Sequence, residues 1–194
     1  MPKVISDHER EQTRNAIVNS AMQLIRTQKG IKHITVDEII KPVGVGKSAF
    51  YSHFGSKEEC IYEAVENSRI DLLNQFDKIM LTKQSKEKKV VRFLREVYLK
   101  EGNISNYISS NDMVVLLRKL PPSYSEREEK MSMNIFSNMM NRLNLGMVQT
   151  ETVTVLLDCI DHIVAYADIS ERVMKAALDT MIVAITDYIE KNSK

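Results

Sequence analysis

The 194-residue chain has no tryptophan, 6 glycines and 4 prolines. Turn-forming residues are therefore too few for an all-β chain, which needs a turn signal after every short strand. Cysteine is equally scarce: Cys60 and Cys159 stand far apart with no CxxC spacing, and the histidines at 8, 33, 53 and 162 are scattered. This excludes a disulfide framework and shows no zinc-ligand pattern, so no metal or cofactor is expected and both thiols should stay reduced. An excess of one charge is missing too. With 27 Lys and Arg against 26 Asp and Glu the net charge is +1, so any attraction to phosphate must come from local placement. No apolar run approaches the roughly 20 residues of a membrane span, and Met1 to His8 lacks the apolar stretch of a signal peptide. A cytoplasmic protein without membrane contact is expected. The chain also lacks a GxSxG elbow, a P-loop and an HExxH pair, so no enzyme is expected.

What the chain does have is apolar residues recurring every three or four positions, the mark of an all-α fold. Ile17, Ala21, Leu24 and Ile25 share one face of a segment from about 8 to 28, while Arg14, Asn15, Asn19 and Gln23 lie off it and Gly30 ends it. Thr35, followed by Asp37 and Glu38, reads as the N-cap of a short helix that turns Val36, Ile39, Ile40 and Val43 inward. Pro42 lacks an N–H and disfavours helical geometry at Lys41, so the helix should fail there, and Gly44 can take a left-handed turn. A second short helix is expected over 45–54, with Val45, Phe50 and Phe54 inward and Lys47, Ser48, Tyr51, Ser52 and His53 outward. Ser56, with Glu59 three residues on, starts a long helix reaching about Met80. After a polar loop at 82–89, helices are expected at about 87–101, 104–119, 123–145, 150–168 and 170–192, divided at Gly102-Asn103, Pro121-Pro122-Ser123 and Gly146.

Residues 31–57 are the informative unit: short helix, Gly-bearing turn, short helix, capped long helix. This is the order of a helix-turn-helix, whose second helix fits the major groove of B-DNA. The strings Ile34-Thr35-Val36-Asp37-Glu38-Ile39-Ile40, Val43-Gly44-Val45-Gly46-Lys47-Ser48-Ala49-Phe50-Tyr51-Ser52-His53-Phe54 and Ser56-Lys57-Glu58-Glu59 closely resemble the TetR family of bacterial transcriptional regulators. The resemblance covers about 10–65; beyond it only the helical layout is similar. It implies a three-helix DNA-binding domain with a helix-turn-helix, here 8–56, and a helical ligand-binding and dimerisation domain, here 57–194. By position, it implies that Thr35, Tyr51 and Lys57 hold phosphates of double-stranded operator DNA, and that Gly46, Lys47, Ser48, Ser52 and His53 face the groove. The residue types suit those roles, since hydroxyls, ammonium groups and helix-terminal amides all donate to phosphate oxygens. Two departures stand out. Pro42 replaces a common Ala, and Gly46 and Ala49 replace Ser, Thr or longer polar residues, which removes hydrogen-bonding groups from the reading helix and shifts readout toward DNA shape.

The same resemblance implies a homodimer through about 150–192. There Val153, Leu156, Leu157, Ile160, Val164 and Ala167, then Val173, Ala177, Met181, Ala184, Ile185 and Tyr188, cover more than one helix face, more than one subunit's core requires. An unknown small-molecule effector is implied among the middle helices, with Phe93, Tyr98, Met113, Leu117, Phe136 and Met140 as candidate lining. His162, one turn from Asp158, is expected to make a structural hydrogen bond, because no third metal ligand is visible. The expected function is a ligand-responsive repressor. A helical interaction protein without operator binding is the alternative that Gly46 and Ala49 favour, and a small helical enzyme is the remoter one.

Overall fold

The computed structural model describes residues 6–28, 30–100, 103–165 and 169–192, except the side chains of Ser105, Phe136 and Ala165. All regular structure among them is helical: α1 Asp7–Gln28, α2 Val36–Ile40, α3 Lys47–His53, α4 Lys57–Met80, α5 Lys86–Phe93, α6 Ser110–Leu117, α7 Pro122–Leu143, α8 Met147–Ala165 and α9 Glu171–Asn192. No helix among the described residues is long and apolar enough to cross a membrane.

Local chemistry explains most of the boundaries and two departures from expectation. The first helix of the motif ends at Ile40, as expected, although its cap Lys41 keeps helical dihedrals, φ −54° and ψ −50°. Pro42 has no N–H to give, and Gly44 closes the turn at φ +72° with its N–H on the Ile40 carbonyl. The single helix expected over 87–101 is α5 followed by a π-helical turn, Leu94–Tyr98, closed by a bond from the Leu99 N–H to the Leu94 carbonyl at 2.9 Å. The helix expected over 104–119 is likewise two pieces, a 3₁₀ turn at Ile104–Tyr107 and then α6. Ser109 forces the break: its hydroxyl accepts from the Asp112 N–H at 3.1 Å while the Asp112 carboxylate accepts from the Ser109 N–H at 3.2 Å. That Ser-x-x-Asp box was legible in the sequence, hidden inside a helical apolar pattern.

The apolar residues gather into two cores threaded by α4. The first holds Ile17, Ala21 and Ile25 of α1, Ile39 of α2, Phe50 of α3 and Cys60 to Val65 of α4 with the exception of Glu63, and it also takes in Met113 and Leu116 of α6. The second joins Phe76 and Ile79 of α4 to Phe93, Met140, Leu143, Ile160, Ile182 and Ile185. Each fully buried Ile or Phe contributes about 1.5–3 kcal/mol. The apolar positions expected at a dimer interface divide between core and surface. Val153, Ile160 and Ile185 lie inside the protomer's own second core, because α8 packs on α9 and α9 on α5 before any partner arrives. Val173 and Ala184 do face outward, joined by Val155 and Val183, at 60% and 55% exposure. Ala167 lies outside the described residues.

From Glu66 to Gln75, between the two cores, α4 carries no buried apolar residue. Leu72 and Leu73 pack half-buried against the second core, and the contacts to α7 there are ionic. The buried Glu66 carboxylate receives both arms of the Arg127 guanidinium, Nε to Oε1 at 2.7 Å, while Glu128 receives Arg69 and, at 3.2 Å, the Tyr62 hydroxyl. Burial and the neighbouring Glu128 and Glu66 push the Tyr62 phenol well above its ordinary pKa, which keeps it a donor. Acid then base on α4 meets base then acid on α7, so a slip of either helix would set like charges together. Replacing Arg127 by Met strands the Glu66 charge, at 8% exposure, and is expected to cost about 2–4 kcal/mol. Combining it with Glu66→Leu should recover most of that loss, as read from urea denaturation midpoints; an equal loss in the double variant would remove the pair as the cause.

Candidate nucleic-acid interface

The interface is built on helices too short to stand alone. α2 has 5 residues and α3 has 7, so their ends and undersides must be held from outside. At the start of α2, Thr35 Oγ1 accepts from the Glu38 N–H at 3.3 Å, and the Glu38 carboxylate accepts from the Thr35 N–H at 2.8 Å and its hydroxyl at 2.7 Å. These bonds hold the Glu38 carboxyl below its ordinary pKa. They also engage the Thr35 hydroxyl proton, so the cap role is filled and a phosphate would have to compete with Glu38 for it.

α3 begins two residues later than expected, because Gly46 sits in extended backbone at φ −86°, ψ 165° and offers no side-chain cap. A Cβ there would meet nothing within 4 Å, so neither space nor backbone demands this glycine. Phe50 is fully buried against Phe54, with ring centroids 5.4 Å apart, and this pins the inner side of the helix. Lys47, Ser48, Tyr51 and Ser52 then fall on the opposite, exposed side, at the i, i+1, i+4, i+5 spacing of one helical face. Tyr51 is 55% exposed, its ring standing edge-on to Phe50 at 5.3 Å. Lys47 Nζ makes an ion pair of 3.0 Å with Asp37 across the turn, both side chains being largely in water, and such a pair is worth at most about 1 kcal/mol. Ser52 Oγ donates to the Ala49 carbonyl at 2.7 Å.

Two arginines of α1, which sequence reasoning left off the site, hold the far end of α3. Arg10 donates to the Ser52 carbonyl at 3.2 Å. Arg14 donates to the His53 carbonyl, forks onto Glu63 of α4 and lies over the Phe54 ring at 4.2 Å. Together they satisfy orphan carbonyls at the negative helix end. The signal was present as an i, i+4 arginine pair facing no apolar stripe, but its target is some 40 residues away in the chain. His53 is half-buried beside them; burial first, then Arg10 and Arg14, lowers its pKa below 6.5, so the ring is neutral at pH 7.

Lys57 departs from the expected picture of a free clamp. Its ammonium donates to the Ile34 carbonyl at 2.7 Å, tying the start of α4 to the residue before Thr35. Ser56 caps α4, accepting from the Glu59 N–H at 3.2 Å, and the Glu59 carboxylate reaches past Ser56 to the Gly55 N–H at 2.7 Å.

The candidate ligand-pocket residues do not come together. Phe93 and Met140 are buried in the second core with Tyr98 packed against it, whereas Met113 and Leu117 belong to the first. The helical break at Ser109 is the reason, since it docks α6 on the amino-terminal core. The Phe136 side chain lies outside what is described. Tyr98 donates to Asp161 at 2.6 Å, and His162 Nδ1 bonds the Asp158 backbone carbonyl at 2.7 Å. No cluster of metal ligands occurs among the described residues.

Residues 17–64 match the sequence profile of bacterial regulatory proteins of the tetR family. An uncharacterized HTH-type transcriptional regulator of Haemophilus influenzae is 27% identical over 64 residues. Those residues are 33% of this chain and 31% of that protein, so the match spans about a third of each. Among solved structures, RolR in complex with resorcinol shares the fold with a TM-score of 0.52, across 97% of this chain and 98% of that one, at 17% identity. The helix-turn-helix seated on α1 and α4 therefore lies within the stretch that matches the family of bacterial regulatory proteins, tetR family, and the chain as a whole shares the fold of RolR.

Proposed function

We propose that this protein is a transcriptional regulator that binds operator DNA as a homodimer through the exposed face of α3, and that repression by blocking polymerase is its mode. The carrying observation is that polar face itself: Lys47, Ser48, Tyr51 and Ser52 stand outward from a helix whose underside and carbonyl end are both held. A helix fixed at both ends presents its side chains to a groove with little ordering cost. The division into an amino-terminal head at 8–56 and a body at 57–194 follows the function, while the packing of the head extends into the first turns of α4. Val155, Val173 and Val183 support an interface on α8 and α9, since three exposed β-branched residues on adjacent helices gain by burial against a second copy. A small-molecule effector is proposed to shift the spacing of the two heads; RolR, of the same fold, is seen with the small phenol resorcinol.

Three measurements test this. In binding titrations with operator and random duplex at several salt concentrations, Tyr51→Phe should weaken both complexes, since it deletes one hydroxyl from an exposed ring without touching the Phe50 contact. Lys57→Ala should lower the log–log salt slope by roughly 0.9. It should also cost about 1 kcal/mol of stability through the lost bond to Ile34. Lys47→Ala should change base preference by about 1–3 kcal/mol at one position. Unaltered affinities and slopes in all three would leave an interaction protein without operator binding. Next, because folded His53 sits below its unfolded value near 6.5, its contribution to stability is present above pH 6.5 and lost as the pH falls through the folded pKa; His53→Gln should flatten that part of the stability profile in calorimetry. Finally, sedimentation should find a dimer that Val183→Arg converts to a folded 22.3 kDa monomer, and a wild-type monomer at micromolar concentration would sink the dimer.

A further inference from the structure

The polar stretch of α4 has a second stripe, Ser68, Asp71, Leu72 and Gln75, distinct from the one that grips α7. A cleft of about 270 Å³ opens on it. Its other walls come from both sides of the joint between the two cores: Arg26 from the last turn of α1, and Val97, Lys100 and Asn103 from the segment that follows α5. The π-helical turn shapes that wall. Its wider ring re-aims the residues after it, and such turns gather at functional sites. Asn103 holds the bend by donating to the Tyr98 carbonyl at 2.9 Å.

The chemistry of the lining is mixed in a specific way. Arg26 and Lys100, on different structural units, put two positive charges around the cleft, where among the described lining residues Asp71 is the single carboxylate and accepts from Gln75 at 2.8 Å. Leu72 and the buried Val97 supply an apolar wall. Like charges set across a joint repel, and an anion between them would be drawn to both, so its binding energy would differ between joint geometries. We infer that this cleft is a binding site for a small organic monoanion, a carboxylate carried on an apolar body. Its role as the effector site rests on the regulator reading given above. The site also differs from the interior pocket expected from sequence, whose residues are divided between two cores.

The test reads the protein alone. Benzoate is titrated into the isotopically labelled full chain, with benzamide as the uncharged isostere and inorganic phosphate as the anion lacking an apolar body. Benzoate is expected to move the backbone signals of Gln75, Val97 and Asn103 saturably at millimolar concentration or below. Lys100→Gln or Arg26→Gln should weaken it about tenfold, the factor one charge-assisted hydrogen bond carries. Lys100 is exposed, so that variant keeps the fold even if the one at Arg26 does not. Equal binding of benzamide or of phosphate would overturn the assigned chemistry, and unmoved cleft signals would overturn the site. Because no DNA is present, loss of operator binding elsewhere leaves this result standing, and a failed benzoate titration leaves the DNA-binding reading standing.

Discussion

The structure depends on one helix belonging to two cores. The amino-terminal turns of α4 complete the packing of α1, α2 and α3, and its last turns complete the packing of α5, α7 and α9. Neither core closes without it. A helix transmits displacement along its axis as a rigid body, so whatever shifts its carboxyl-terminal half is felt at Ser56 and Lys57, where it meets the helix-turn-helix. Between the cores the side chain that α4 buries is Glu66, and its ion pair with Arg127, with that of Arg69 and Glu128, holds α7 in register.

The helix-turn-helix shows how little regular structure an ordered surface needs when its ends are chemically satisfied. Helices of five and seven residues lie far below the length at which helices persist alone. They endure here because Phe50 and Ile39 are fully buried, Thr35 and Glu38 close the first turn of α2, and Arg10 and Arg14 take the last carbonyls of α3. Arg14 is the busiest of these groups, with Glu63, the His53 carbonyl and the Phe54 ring all on one guanidinium. It ties α1, α3 and α4 together at a single point. Orientation of α3 therefore rests on side chains outside the helix-turn-helix itself, and substitutions at α1 would shift the exposed face of α3 without lying on it.

Gly46 and Ala49 leave the middle of the reading face poor in hydrogen-bonding groups, and Gly46 also leaves α3 without a side-chain cap. Neither feature is imposed by space, since a Cβ at 46 would meet no neighbour. On the proposed reading of α3 as the DNA-binding face, that stretch offers few groups for base edges, and the cost of deforming the duplex carries more of the sequence preference.

The sequence by itself determined the elements whose signals are local. Thr35 and Ser56 as caps, Gly44 as the left-handed turn, and the inward Phe50 and Phe54 opposite the outward Tyr51 all follow from chemistry within four residues, and so does the all-α class. The tertiary structure alone decided what depends on partners far away in the chain. The docking of α6 on the amino-terminal core is one such case, since the local Ser109–Asp112 box starts that helix but does not say where it packs. Lys57 reads as a phosphate clamp until the Ile34 carbonyl arrives beneath it, and nothing local to Glu66 names Arg127 as its partner. Apolar periodicity names the residues that will be buried but not the neighbours that bury them. Phe93 and Met113 could therefore be placed in one pocket on sequence grounds and still belong to separate cores, since the assignment is made by packing between helices and not by spacing along one.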